Sequence, residues 1–384
     1  MGLSKSTTFL LLVLCFVLAL SSLKVFWGTA QSKQRNGGNK ICFNADGDGV
    51  ESKSVNKLVA PNDRIFNHEE WHIDPTKPKK TIKVKIVDFW DPDPTNENPT
   101  CMSLCGPLSK VYNLNFTEDP DFVFYSIARR KRSNYKNCVK IFFTGENLVP
   151  DFNKCDYALS LSYIDYYGRH FKRSPLEGMK WLYGPFNATR NFGKNMTQRK
   201  FCNFIYSDSN QKRDGVVARE RLFNLLNMYK RVDSPGQVLN NMKDAIEPRN
   251  GDWRAGKFEF IKGYKFTIAF ENSNSYGYTT EKLTDALFAN TIPIYFGNPN
   301  VGLEYNKKAF IHANDYDTLE DVARKVIELD NDDEAYLAML NEPPLLYPEY
   351  DYDEELLKFF TKIIERGNRP LIKDPWGFSE REFT

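Results

Sequence analysis

Phe270–Val301 reads F-E-N-S-N-S-Y-G-Y-T-T-E-K-L-T-D-A-L-F-A-N-T-I-P-I-Y-F-G-N-P-N-V, and the fold is decided by how this stretch is parsed. A strand-like run, Phe266–Phe270, leads into a polar loop containing Gly277, then a short helix, then a second apolar strand from Ile292. Leu283, Ala286 and Leu287 recur at i, i+3 and i+4, with Thr280 as N-cap, Glu281 in the first turn and an end near Asn290. Lys282 does not fit that helix start, where a cation is unfavourable by about 0.3–1 kcal/mol. A bound anion removes the conflict, because the helix-start N–H groups, the dipole and Lys282 then converge on a pyrophosphate. Tyr278 and Glu281 are left to hold a ribose or base. The plainer alternative makes Glu281 an ordinary first-turn acid, Lys282 a solvated cation and Tyr278 a loop aromatic. Residue chemistry alone does not separate the two.

The wider chain bounds the problem. Its 384 residues, 41% hydrophobic, suit two packed domains plus a tail, and a net charge of +2 argues against a nucleic-acid binder working through a broad basic face. The basic run Arg129–Arg132 reads as a solvated loop, with a phosphate patch or processing site as the alternative. Near the N-terminus, Lys5 precedes an apolar segment from Phe9 to Leu20, extended through Leu23 and, past Lys24, to Trp27. Snorkelling Lys24 and interfacial Trp27 favour a signal anchor in the membrane, whereas Gly28-Thr29-Ala30 suits signal cleavage and secretion. Asn115, Asn187 and Asn195 head N-glycosylation triplets. Of seven cysteines Cys15 lies in the apolar segment; the other six, Cys42, Cys101, Cys105, Cys138, Cys155 and Cys202, suggest up to three disulfides in a secretory chain.

The chain divides into a cytoplasmic tip and signal-anchor segment (1–27), a polar stem (28–80), an α/β domain (81–190), a second α/β domain (191–347) and a C-terminal helix and tail (348–384). In the first domain, strands are expected at Thr81–Trp90, Asp121–Tyr125, Val139–Thr144 and Tyr157–Ser162. The second has a strand at Phe201–Ser207, a helix at Val216–Tyr229, the opening motif, and helices at Thr318–Leu329 and Glu334–Leu340. Two such halves imply two Rossmann-like domains facing a cleft, with ligands outside the carboxyl ends of the strands. A last helix, Asp353–Arg366, carries Leu356, Leu357, Phe360, Ile363 and Ile364 on one side.

Three further patterns carry less than they promise. His68-Glu69-Glu70-Trp71-His72 fits a zinc-protease motif, but Pro61 and Pro75 confine it and no apolar helical face surrounds it. Asp91-Pro92-Asp93 reads as a strand-ending turn rather than a metal motif, and the loop starting Asn44–Gly49 has Val55 where a calcium loop needs Glu. No metal is required by this reading.

Glu271-Asn272-Ser273, then Y-x-T-E-K-L at 278–283, then A-L-x-x-x-x-I-P-I-Y-x-G at 286–297 follow one another without gaps, and this run resembles the signature of the α1,3/α1,4-fucosyltransferases. That resemblance implies a GT-B-like α/β fold, GDP-fucose as donor substrate with no further cofactor, and a glycan acceptor. In the family's terms Lys282 and Glu281 meet the phosphates and ribose with Tyr278, while Asn272 shapes the donor pocket. Arg219 matches the phosphate-binding arginine near the start of the donor domain's first helix, with Arg221 as a fallback. Lys140–Tyr157, K-I-F-F-T-G-E-N-x-V-P-D-F-N-x-x-D-Y, is similar to the bacterial-type members, whose proposed catalytic base falls on Glu146 at a strand's carboxyl end. The implied reaction is inverting transfer of L-fucose to the 3-OH of a GlcNAc residue. A same-architecture glycosyltransferase with another sugar nucleotide and a silent glycan-binding protein are the alternatives. The resemblance also favours the anchor, as a single-pass type II Golgi protein with a lumenal catalytic part, and by analogy brings the last helix back onto the first domain.

Overall fold

The computed structural model describes residues 78–89, 99–127, 135–176, 190–242, 253–348 and 350–371. The anchor segment, nearly all of the stem, Asn187, Arg129–Arg132, Cys42 and the decoys at 44–49, 68–72 and 91–93 lie outside the described residues, as do the side chains of Cys101 and Cys105. Among the described residues no helix is long and apolar enough to cross a membrane.

Two parallel sheets organise the chain. The first contains β1 (Lys80–Val87), β2 (Tyr112–Phe116), β3 (Phe122–Tyr125), β4 (Val139–Phe143), β5 (Tyr157–Ser160) and β6 (His170–Lys172), in the order β2-β1-β3-β4-β5-β6. The second contains β7 (Lys200–Asn203), β8 (Val232–Asp233), β9 (Tyr264–Phe270), β10 (Ile292–Phe296) and β11 (Ile311–His312), in the order β11-β10-β9-β7-β8. Central parallel strands are covered on both faces and so read as unbroken apolar runs, and all seven residues of β9 are buried. Its one basic residue, Lys265, is paired inside with Asp330 at 2.8 Å. β1 stops at Val87, short of the expected Trp90, because Asp88 takes a left-handed backbone conformation (φ 62°).

The helices are α1 (Pro99–Val111), α2 (Asp214–Asn227), α3 (Trp253–Ile261), α4 (Glu281–Phe288), α5 (Leu319–Asn331), α6 (Asp333–Asn341) and α7 (Tyr352–Arg366). In α2, Leu222, Phe223 and Leu226 pack into the core of the second sheet with Phe204, Phe266 and Phe270. α7 returns to the first sheet, where Phe360 stands edge-on to Phe124 at 5.5 Å and Phe359 meets Tyr157 and Phe171. Leu356, Phe359, Phe360, Ile363 and Ile364 all join that core, and each such burial contributes roughly 1.5–3 kcal/mol.

The disulfide expectation needs correction. Cys202 is a buried thiol, so the six cysteines cannot all pair in three disulfides; Cys138 and Cys155 are buried as well. Cys202 sits inside β7, and burial raises its thiol well above the usual range. Asn115 and Asn195 are both exposed.

Candidate active site

The opening motif folds as β9, loop, α4 and β10. Thr280 caps α4, its hydroxyl accepting from the Lys282 N–H, as its place before the apolar face predicts. What the helix start then meets differs from the expectation. Glu271, one residue past β9, is wholly buried and turns its carboxylate onto the cap. The Thr280 N–H donates to Glu271 Oε1 at 2.7 Å, and the Thr280 hydroxyl lies 2.8 Å from Oε2. Lys282 Nζ donates to the same Oε2 at 2.9 Å and to Thr280 Oγ1 at 3.0 Å, with Glu281 Oε1 3.6 Å away. The anion that reconciles Lys282 with the helix dipole is therefore built into the chain. Burial lowers the Lys282 ammonium, but Glu271 and then Glu281 outweigh it and hold the group charged well above its usual range. Burial also raises the Glu271 carboxyl, an effect that the Lys282 charge opposes.

Backbone contacts explain how a carboxylate fits there. A Cβ on Gly297 would come within 2.5 Å of Glu271 Cγ, and one on Gly215, at the start of α2, would collide with the Glu271 carbonyl. Asn272 is tied to the same helix: its carbonyl accepts from the Gly215 N–H at 3.2 Å, and its Oδ1 accepts from Arg219 Nη1 at 2.8 Å. Arg219 is fully buried, donates from Nη2 to the Asp208 carbonyl, and lies 3.9 Å over the Tyr206 ring. Its Nε is buried without a hydrogen-bond partner. The guanidinium thus holds Asn272 and the 208 loop instead of presenting an open fork. Arg221, the fallback, points elsewhere and pairs with Glu320 at 2.6 Å.

Tyr278 is buried, and its carbonyl accepts from the Tyr295 hydroxyl at 3.2 Å. Burial raises the phenol well above the usual range; Glu271 and, more weakly, Glu146 add to the rise, while Lys282 opposes it. Gly277 beside it has φ 83°, and a Cβ there would collide with the Leu161 carbonyl at the end of the first sheet. The two halves therefore touch at this loop.

Glu146 follows β4 and is exposed, its N–H donating to Thr144 Oγ1 at 3.0 Å. The next residue bridges the halves, with Asn147 Nδ2 3.1 Å from Ser273 Oγ. Glu146, Asn272 and Tyr278 thus come from loops at the carboxyl ends of β4 and β9, and Glu281 and Lys282 from the first turn of α4, whereas Arg219 stands behind them. Glu271 was missed by sequence reasoning. Its signal was the unbalanced Lys282, which calls for an anion that an acid at the end of the preceding strand can provide.

Two parallel-sheet halves meeting at the carboxyl ends of their strands, with a half-buried cation at a helix start, have the architecture of a GT-B-like glycosyltransferase. Residues 84–178 match the α-(1,3)-fucosyltransferase FucT N-terminal domain, and residues 196–341 match the glycosyltransferase family 10 (fucosyltransferase) C-terminal region. The chain belongs to this fucosyltransferase family. It is 27% identical over 362 residues to the α-(1,3)-fucosyltransferase FucT of Helicobacter pylori, covering 82% of this chain and 69% of that one. It is 32% identical over 281 residues to the GDP-fucose protein O-fucosyltransferase 3 of Xenopus laevis, covering 66% of this chain and 57% of that one. A crystal structure of an α1,3-fucosyltransferase with GDP superposes with a TM-score of 0.62 at 25% identity, over 77% of this chain and 94% of that one.

Proposed function

We propose that this enzyme transfers L-fucose from GDP-β-L-fucose, with inversion, to the 3-OH of a GlcNAc residue in a glycan. Glu146 takes the acceptor hydroxyl proton as that oxygen bonds to the anomeric carbon. The bond from that carbon to the diphosphate oxygen breaks, and its electron pair leaves on GDP, where the Lys282 ammonium offsets the growing charge. Tyr278 and Glu281 hold the nucleotide sugar, and Asn272, braced by Arg219, forms the wall of its pocket. No metal takes part in these steps. The observation that carries the reading is the Asn147–Ser273 contact, which supports a Glu146 loop lying against the loop of Tyr278. In the cell, the segment at 1–27 anchors the protein in the Golgi membrane with these residues in the lumen.

The similarity to a protein O-fucosyltransferase favours one second reading, in which the acceptor is a hydroxyl on a protein rather than on a sugar. Incubating the enzyme with GDP-fucose, a glycan array and a panel of folded polypeptides, with and without EDTA, tests both. Fucosylated GlcNAc in the presence of EDTA is the expected result. Label on polypeptide alone selects the second reading, and turnover of UDP-sugars but not GDP-fucose overturns both.

A further inference from the structure

Glu271 plays no part in the chemistry above, yet the site is built around it. Its carboxylate is wholly buried, Gly297 leaves room for its side chain and Gly215 for its backbone carbonyl, and the carboxylate accepts from a backbone N–H, a hydroxyl and an ammonium. A buried acid serving only to cap a helix is an expensive device, since the Thr280 hydroxyl alone is a sufficient cap. The arrangement makes sense through Lys282. A lysine side chain is long and mobile, and its ammonium carries three donors with no fixed direction. Here one donor goes to Glu271 Oε2 and one to Thr280 Oγ1. The stem is packed away, leaving the side chain 17% exposed at the mouth of α4. Two of the three donors are thereby fixed, with Glu281 Oε1 3.6 Å from the ammonium, and the conformational cost of ordering the lysine is met on folding instead of on binding.

We propose that Glu271 is a positioning residue for donor binding, holding the Lys282 ammonium, together with Thr280, in the orientation that receives the diphosphate of a nucleotide sugar. The proposal rests on the donor assignment made above. It differs from a purely electrostatic account, in which the Glu271 charge cancels that of Lys282 and its removal tightens anion binding.

The test is a double-substitution cycle on the full chain, reading GDP affinity by calorimetry, both Michaelis constants, and melting temperature. Glu271→Gln keeps the shape and removes the charge. It is expected to raise the Kd for GDP and the KM for GDP-fucose about tenfold, while the acceptor KM changes less than about twofold. Added to Lys282→Ala, the same change should have less than about a twofold further effect on GDP, since its influence runs through the lysine. Unchanged or tighter GDP binding by folded Glu271→Gln overturns the proposal, as does equal weakening with and without Lys282. If Glu271→Gln does not fold, Thr280→Val decides: a roughly threefold weaker GDP complex supports the proposal, and an unchanged one overturns it. Failure of the folded wild-type chain to bind GDP would instead sink the donor assignment itself.

Discussion

Glu146 stands exposed at the end of β4, one residue before the contact that joins the two halves. Glu146→Gln is therefore expected to lower kcat by about 100-fold or more while GDP affinity stays as in the wild type, measured by single-turnover kinetics and calorimetry. His170 offers a test of a different kind. Burial pushes its imidazole down from 6.5 to about 4, and Lys172 adds to this, so it is neutral in the folded chain, with Nε2 2.8 Å from Ser160 Oγ. The unfolded chain takes up this proton near the ordinary value and the folded chain only near the lower one. The stabilisation is therefore complete above about pH 6.5 and is lost as the pH falls from there to about 4. Some 3 kcal/mol of pH dependence, read from urea midpoints at neutral and acid pH, should be missing from His170→Gln. Neither His170 nor Glu271 stood out in the sequence: His170 sits on a three-residue strand with no pattern of its own, held by Ser160 and Ile164, and Glu271 owes its surroundings to distant segments. Glu271 is enclosed by Gly215 and Gly297, and no local pattern around a strand-ending acid announces them. Thr280, Glu281 and Lys282 were legible because capping and helix polarity are local.

Elements with their own periodicity were equally legible. β9, α4, β10 and α7 are long enough for apolar spacing to emerge, and they form close to where that spacing puts them. β6, β8 and β11 are two or three residues long and carry His170, Lys172, Asp233 and His312, which no strand pattern selects. They exist because a neighbouring strand offers an edge. α1 contains Gly106 and Pro107, and its interior proline hides it. The loop before α4 makes an element-scale prediction. Gly277→Ala meets both a positive φ and the Leu161 carbonyl, so it should displace the Tyr278 loop and cost about 1–3 kcal/mol. Chemical denaturation gives the stability loss, and a raised KM for GDP-fucose reports the displacement.

At the scale of the whole molecule, the halves are fastened by a buried pair. Lys172 of β6 reaches Glu304, beyond β10, at 3.1 Å with both side chains 4% exposed, and the Tyr163 hydroxyl donates to the same Glu304 oxygen at 2.6 Å. Lys172→Met should destabilise the protein by about 3–5 kcal/mol by leaving that carboxylate uncompensated, and adding Glu304→Leu should restore more than half of the loss, both measured by urea unfolding. The second fastening is α7, whose Phe359 and Phe360 complete the core begun by β1 and β3. Because a nascent polypeptide emerges from the ribosome in order, the first sheet is synthesised long before the residues that cover it. The second sheet carries its own core from Met196 to Leu340 and has all its parts at hand earlier. The half made first is consequently the half that finishes last, and a stop codon anywhere before Tyr352 should yield an insoluble chain with an uncovered sheet instead of a shortened but working enzyme.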